Sequence, residues 1–215
     1  MNLLLKLRKK LLIKRFHSKP AFARFWQDID LSQSIQETPF VVFDTETTGL
    51  DPKKAELVSI GALKILNLSI FLRYSFHQLV RPQKLTHASV EIHGITEQEL
   101  REKGKPPQEV IETFLDFIKG CVLVGFNVEF DRKILEKYTR SFLDIPIPAY
   151  RLDVFSLWKR QGGEGKSLEE IAKELGIPTV GVHSALDDAY ITALIFLKLV
   201  CRSKAQPVGS LPLML

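Results

Sequence analysis

Cysteine is scarce. The 215 residues hold two, Cys121 beside a valine run and Cys201 at the end of an apolar helical pattern. Each reads as a small buried hydrophobe, which excludes a disulfide-built secreted scaffold and points to a reducing cytoplasm. Long hydrophobic runs are missing too. The N-terminus offers only Leu3-Leu4-Leu5 before Lys6, Arg8, Lys9 and Lys10 intervene, so no secretory signal is expected. Ile191 to Val200 is largely apolar but too short for a bilayer span, which needs roughly 18–20 residues, and reads as a core helix. Acidic residues are absent from positions 1–24, which carry eight basic ones. With Asp28, Asp30 and Glu37 set apart, residues 39–215 hold 22 basic and 22 acidic residues. The body is formally neutral, and the pI of about 9.1 belongs to an N-terminal arm.

What is present is enough for a core. At 45% hydrophobic and 26% charged, the chain is not disordered, and its length fits one domain plus an appendage. We divide it into a basic, partly helical arm over 1–38, a folded domain over 39–202 and a C-terminal tail over 203–215. The arm breaks at Pro20 into a Leu-rich basic stretch and an aromatic one with Phe22, Phe25 and Trp26. Leu3, Leu4, Leu7 and Leu11 share a helical face whose edges are basic. Such a segment is either a solvated tail or a helix that lies on an anionic membrane, follows nucleic acid or docks on a partner. The apolar end of the tail, Leu211-Pro212-Leu213-Met214-Leu215, is expected to be frayed, with a short clamp- or polymerase-docking peptide as the other reading.

Within the body, Phe40-Val41-Val42-Phe43 reads as a central strand buried on both faces. Further strands are expected over 56–65 and 71–80, joined by a turn at Asn67-Leu68-Ser69, and over 121–126 and 149–152. Helical spacing or capping signals mark segments beginning at Thr96, Pro107, Phe130, Asp153, Ser167 and Ser184. Three strands followed by alternating helices and strands imply an α/β sandwich around one mixed sheet. Gly162-Gly163-Glu164-Gly165-Lys166-Ser167 imitates a phosphate-binding loop, but Arg160 stands where its first glycine is required and the segment follows a helix.

Three places carry chemistry. Asp44 and Glu46 lie two apart at the end of the buried strand, so both carboxylates face one side of the sheet. Like charges so placed repel unless a cation lies between them, and hard divalent ions prefer such oxygens; the plainer reading ends the strand at Asp44 and turns Glu46 to water. Asp131 follows a strand-to-helix corner at Asn127, where both residues also have ordinary capping and turn roles. The third place is His183-Ser184-Ala185-Leu186-Asp187-Asp188. There Ser184 and Asp187 have capping spacing, while Asp188 points about 100° away and is free to face the sheet. His183 has a pKa range suited to a general base. Four carboxylates and one histidine would suit phosphodiester hydrolysis assisted by two metal ions.

The segments Phe43-Asp44-Thr45-Glu46-Thr47-Thr48-Gly49-Leu50, Asn127-Val128-Glu129-Phe130-Asp131 and His183-Ser184-Ala185-Leu186-Asp187-Asp188-Ala189 closely resemble the three motifs of the DnaQ-like DEDDh exonucleases. Ile92-His93-Gly94-Ile95-Thr96 resembles a fourth recurring segment of that family. The resemblance spans about residues 39–200 and implies a ribonuclease H-like fold, a mixed five-stranded sheet flanked by helices. It also implies removal of nucleotides from a 3′ end as nucleoside 5′-monophosphates. By this resemblance Asp44 bridges two Mg²⁺ or Mn²⁺ ions, Glu46 and Asp188 complete the tighter site, Asp131 holds the second ion, and His183 takes a proton from the attacking water. Thr47, Leu50, His93 and Asn127 become contacts to the substrate strand. Phe126 and Val128 depart from residues common in the family, but neither supplies a ligand.

DNA is the favoured substrate, in proofreading or repair, and a ribonuclease trimming RNA ends is the alternative, since the two chemistries differ only at the 2′-hydroxyl. A reading of another class is a weakly active binding subunit of a polymerase assembly. The neutral body implies that metals and backbone amides hold the strand, with the arm adding non-specific affinity for nucleic acid or a peripheral membrane contact. A polymerase or sliding clamp remains open as a partner.

Overall fold

A computed structural model of the chain describes residues 3–82, 90, 93–164, 166–179 and 184–215. Five strands form one sheet: β1 (Phe40–Thr47), β2 (Leu57–Leu66), β3 (Ser69–Leu79), β4 (Val122–Gly125) and β5 (Arg151–Asp153), in the order β3-β2-β1-β4-β5. β1 pairs antiparallel with β2 and parallel with β4; β2–β3 is antiparallel and β4–β5 parallel, so the sheet is mixed as expected. β1 is central because Phe40 to Phe43 present apolar side chains to both faces, and all four are buried. Each contributes about 2 kcal/mol relative to exposure. The β2–β3 hairpin closes through Asn67 and Leu68, both at positive φ (50° and 56°), as a two-residue turn matched to strand twist requires.

The described helices are α1 (Leu3–Phe16), α2 (Pro20–Phe25), α3 (Glu97–Lys103), α4 (Pro107–Ile118), α5 (Glu129–Leu143), α6 (Val154–Arg160), α7 (Leu168–Glu174) and α8 (Ala185–Val200). Local chemistry sets several starts. Thr96, Asp153, Ser167 and Ser184 each cap a helix by accepting a backbone N–H, and Ser167 with Glu170 forms the reciprocal capping box. Strand alternation divides the core. Phe40 and Val42 join Ile195 and Phe196 of α8 in one layer, whereas Val41 and Phe43 join Phe114 of α4 and Ile134 of α5 in the other.

Three expectations change. The arm is not a solvated tail: α1 inserts Leu5 and Phe16, and α2 inserts Phe22 and Phe25, into the core. Lys9 pairs with Asp28 inside the arm, and two further cations meet the body's acids, Lys19 on Asp144 and Arg24 at 3.1 Å from Glu112 and 2.7 Å from Asp116. The face buried is not the Leu3, Leu4, Leu7, Leu11 face, which stays exposed. Nor is the tail frayed. Val208 and Leu213 are buried, and Met214 exchanges two 2.9 Å backbone hydrogen bonds with Arg151, covering the free edge of β5. Finally Cys201, expected inside, is exposed where α8 ends, while Cys121 is buried.

Candidate active site

The site forms where β1 runs out beside the first turn of α8. Asp44 and Glu46 continue the even-numbered face of β1, the face covered by α8. Asp44 lies opposite Gly61 of β2, and a β-carbon there would stand 2.2 Å from the Leu186 nitrogen and 2.3 Å from the Ala185 carbonyl carbon. The start of α8 therefore rests directly on the β2 backbone next to Asp44. Ser184 caps this helix: its Oγ accepts the Asp187 N–H at 3.2 Å and donates to the Asp187 carboxylate at 2.6 Å. Asp187 is thereby occupied at the cap, and Asp188, one residue further round, faces the strand. One carboxylate oxygen each from Asp44, Glu46 and Asp188 lies within 4.8 Å of the others.

Asp131 reaches the site from the opposite layer. It sits in the first turn of α5, is 6% exposed, and accepts a 2.5 Å hydrogen bond from Thr45 Oγ1. Thr45 points to the odd-numbered face of β1 and so ties α5 to the strand that carries the other two acids. Burial pushes the Asp131 carboxyl up to about 7, against the pull of the Thr45 hydrogen bond. Burial, followed by the charges of Asp131, Glu46 and Asp188, pushes Asp44 well above the ordinary carboxylate range. Desolvated, mutually repelling oxygens from three elements are suited to a hard divalent cation, whose charge would return them to the ionised state.

The remaining expected residues are dispersed around this centre. Thr47 ends β1 and its Oγ1 donates to the Gly49 carbonyl at 2.9 Å; Leu50, in the following turn, is 87% exposed. Asn127 sits at the β4–α5 corner with φ of 52°, and its backbone N–H donates to Asp153 Oδ1 at 2.9 Å. His93 is buried, with Nδ1 accepting the Ile95 N–H at 3.0 Å and a pKa lowered by burial. His183 lies outside the described residues. The sequence assigns no role to Thr45 or Gly61, and it marks Asp153 as a helix cap without its second contact to the Asn127 N–H. The glycine opposite Asp44 was the one readable signal, since a glycine inside a strand marks close backbone approach.

The exonuclease family model, RNase_T, matches residues 41–196, which include every carboxylate of this cluster. The chain belongs to the DnaQ-like 3′-to-5′ exonuclease family. The chain is 33% identical over 178 residues to the DNA polymerase III subunit epsilon of Aquifex aeolicus, covering 81% of this chain and 86% of that one. It is 34% identical over 176 residues to the DNA polymerase III PolC-type protein of Thermotoga petrophila, covering 81% of this chain but only 13% of that much longer relative. Escherichia coli exonuclease I, solved with a dA16 oligonucleotide, superposes with a TM-score of 0.66 at 21% identity, over 81% of this chain and 43% of that one. The shared architecture is the ribonuclease H-like fold.

Proposed function

We propose that the protein is a two-metal-dependent 3′-to-5′ exonuclease that hydrolyses the terminal phosphodiester of single-stranded or frayed DNA ends, releasing nucleoside 5′-monophosphates in proofreading or repair. The observation that carries this reading is the convergence of Asp44, Glu46 and Asp188 within 4.8 Å, with Asp131 tied to the same strand through Thr45. Asp44 would lie between two Mg²⁺ or Mn²⁺ ions, Glu46 and Asp188 would complete the tighter site, and Asp131 would hold the second. Bound there, the ions supply Lewis-acid stabilisation of charge on the attacking and leaving oxygens. The protein's own groups do the rest: His183 takes the proton from the attacking water, and Thr45 keeps Asp131 aimed at Asp44. Thr47, through its backbone, contacts the terminal 3′-hydroxyl. Leu50, lacking cover, packs on the last base, and His93 and Asn127 lie along the strand.

DNA is favoured over RNA because the epsilon relative belongs to a DNA polymerase by its name. A polymerase or sliding clamp would dock elsewhere than on the tail, whose Leu213 and Met214 are folded against the body. The two unpaired thiols fit the cytoplasm. The test is digestion of 3′-mismatched primer duplex, single-stranded DNA and matching RNA by wild type and Asp44→Ala, with Mg²⁺, Mn²⁺ or EDTA. Mononucleotide release that needs metal and falls by about a thousandfold in the variant is expected. Preference for RNA would move the reading to a ribonuclease, and inactivity on every substrate would replace it with a binding subunit.

A further inference from the structure

The helix α1 has two apolar faces. At about 100° per residue, Leu5, Leu12 and Phe16 fall on the side turned to the body, where Leu5 and Phe16 are buried. Roughly opposite, Leu3, Leu4, Leu7 and Leu11 occupy one arc of about 100°, and they are 81%, 52%, 54% and 57% exposed. Exposed Lys6 and Lys10 border this arc on one side and exposed Arg8 and Arg15 on the other, with Lys14 on the arc itself near the helix end. Lys9, on the inner side, is taken up by Asp28. Isolated exposed leucines are ordinary on a soluble surface, but four along one stripe of a helix that adds five exposed cations there and has no acidic residue of its own are not, even with Glu129 and Glu136 across the groove from Arg8 and Arg15.

We propose that the outer face of α1 docks the protein on an anionic lipid bilayer. Charge and shape choose this occupant. A stripe of leucines with lysine and arginine on both flanks lets the apolar side chains enter the acyl boundary while the long cationic ones reach lipid phosphates. Nucleic acid fits the same charges but not the stripe, which offers four leucines and no aromatic, amide or hydroxyl side chain to bases or sugars. Beside the stripe, an open and mostly apolar groove of about 820 Å³ is bordered by Ile13, Ile29 and Leu31 with Lys6, Lys10, Asp28 and Asp30 at its rim, so its walls could take part of an acyl chain while the phosphate contacts fall to the flanking cations of the helix. The inner face holds the helix folded before contact, so no ordering cost is paid at the membrane. No helix among the described residues is long and apolar enough to cross a membrane, so the contact is peripheral.

The experiment is flotation of the full chain with vesicles of phosphatidylglycerol and phosphatidylcholine, and with phosphatidylcholine alone, at low and high salt. Wild type is expected to float with the anionic vesicles, to bind neutral ones at least tenfold more weakly, and to lose affinity as salt rises. Leu3→Glu with Leu7→Glu is expected to weaken anionic binding by tenfold or more; Lys6→Glu with Lys10→Glu, whose leucines are intact, should do likewise. Both double variants should keep wild-type circular dichroism and wild-type exonuclease rates on short oligonucleotides. No flotation of wild type, or undiminished flotation of the leucine variant, overturns the proposal. So does a leucine variant that loses oligonucleotide affinity, or that dissociates a wild-type dimer in sedimentation, because the stripe then serves nucleic acid or a second copy.

Discussion

The cleft beside β1 and the arm at the far end of the chain bury opposite kinds of group. At the cleft the fold desolvates carboxylates and brings like charges together, so that Asp44 and Asp131 are held above their ordinary pKa. In the arm it buries Leu5, Phe16, Phe22 and Phe25 and lets Lys19 and Arg24 meet acids of the body at its surface. The first arrangement costs stability and gives a place for cations; the second adds stability and touches no reacting group. Function and stability should therefore separate by region under mutation.

The sharpest break is expected at Gly61. Gly61→Ala places a β-carbon against the Leu186 nitrogen and pushes the start of α8, with Asp188, away from Asp44 and Glu46. A displacement on the order of 1 Å should lower single-turnover exonuclease rates by about a hundredfold, while urea denaturation should register a loss of about 1–3 kcal/mol from overpacking. Phe16→Ala should do the reverse. Removing a ring that is 8% exposed should cost about 2–4 kcal/mol in the same denaturation experiment, with the rate on short oligonucleotides unchanged below the transition temperature. A variant at Phe16 that slowed catalysis without loss of stability would abolish the separation.

A smaller effect is expected from pH. Asp44 is raised and Asp131 is raised to about 7, so the folded chain without metal holds protons that the unfolded chain releases from near pH 4. A raised carboxylate leaves stability intact below the unfolded pKa and removes it as pH climbs through the folded one. In EDTA, stability should fall by about 1–3 kcal/mol between pH 4.5 and pH 8, and saturating Mg²⁺ should flatten that slope. Thermal melts across this range would check it, and a slope of opposite sign would mean that the carboxylates are not desolvated together.

The two regions also differed in how far they could be read from sequence. The even spacing of Asp44 and Glu46 on a strand and the cap that occupies Asp187 are local rules, and both place the acids where the structure has them. Thr45 escaped notice because strand alternation turns it away from its neighbours, and only the arrival of α5 on the other face gives it Asp131 as a partner. In the arm, periodicity grouped Leu3, Leu4, Leu7 and Leu11 correctly as one face, yet the face the body chose was that of Leu5, Leu12 and Phe16. Periodicity ranks the faces of a helix by their own composition; the surface that receives them is assembled from other segments, with Leu5 in the layer of Ile29, Tyr150 and Leu213 and Leu12 and Phe16 in that of Phe22, Phe25 and Ile147. The order of the tail is hidden from local sequence for the same reason, since its pairing with Arg151 depends on an otherwise open β5 edge.

Calorimetric titration of Mn²⁺ into wild type, Asp188→Asn and Asp131→Asn tests the central claim most directly, because it asks whether acids from both faces of the sheet form one metal centre. Two ions bound by wild type are predicted, with the tighter one lost in Asp188→Asn and the weaker one lost in Asp131→Asn. Binding that is unchanged in both variants would contradict the account.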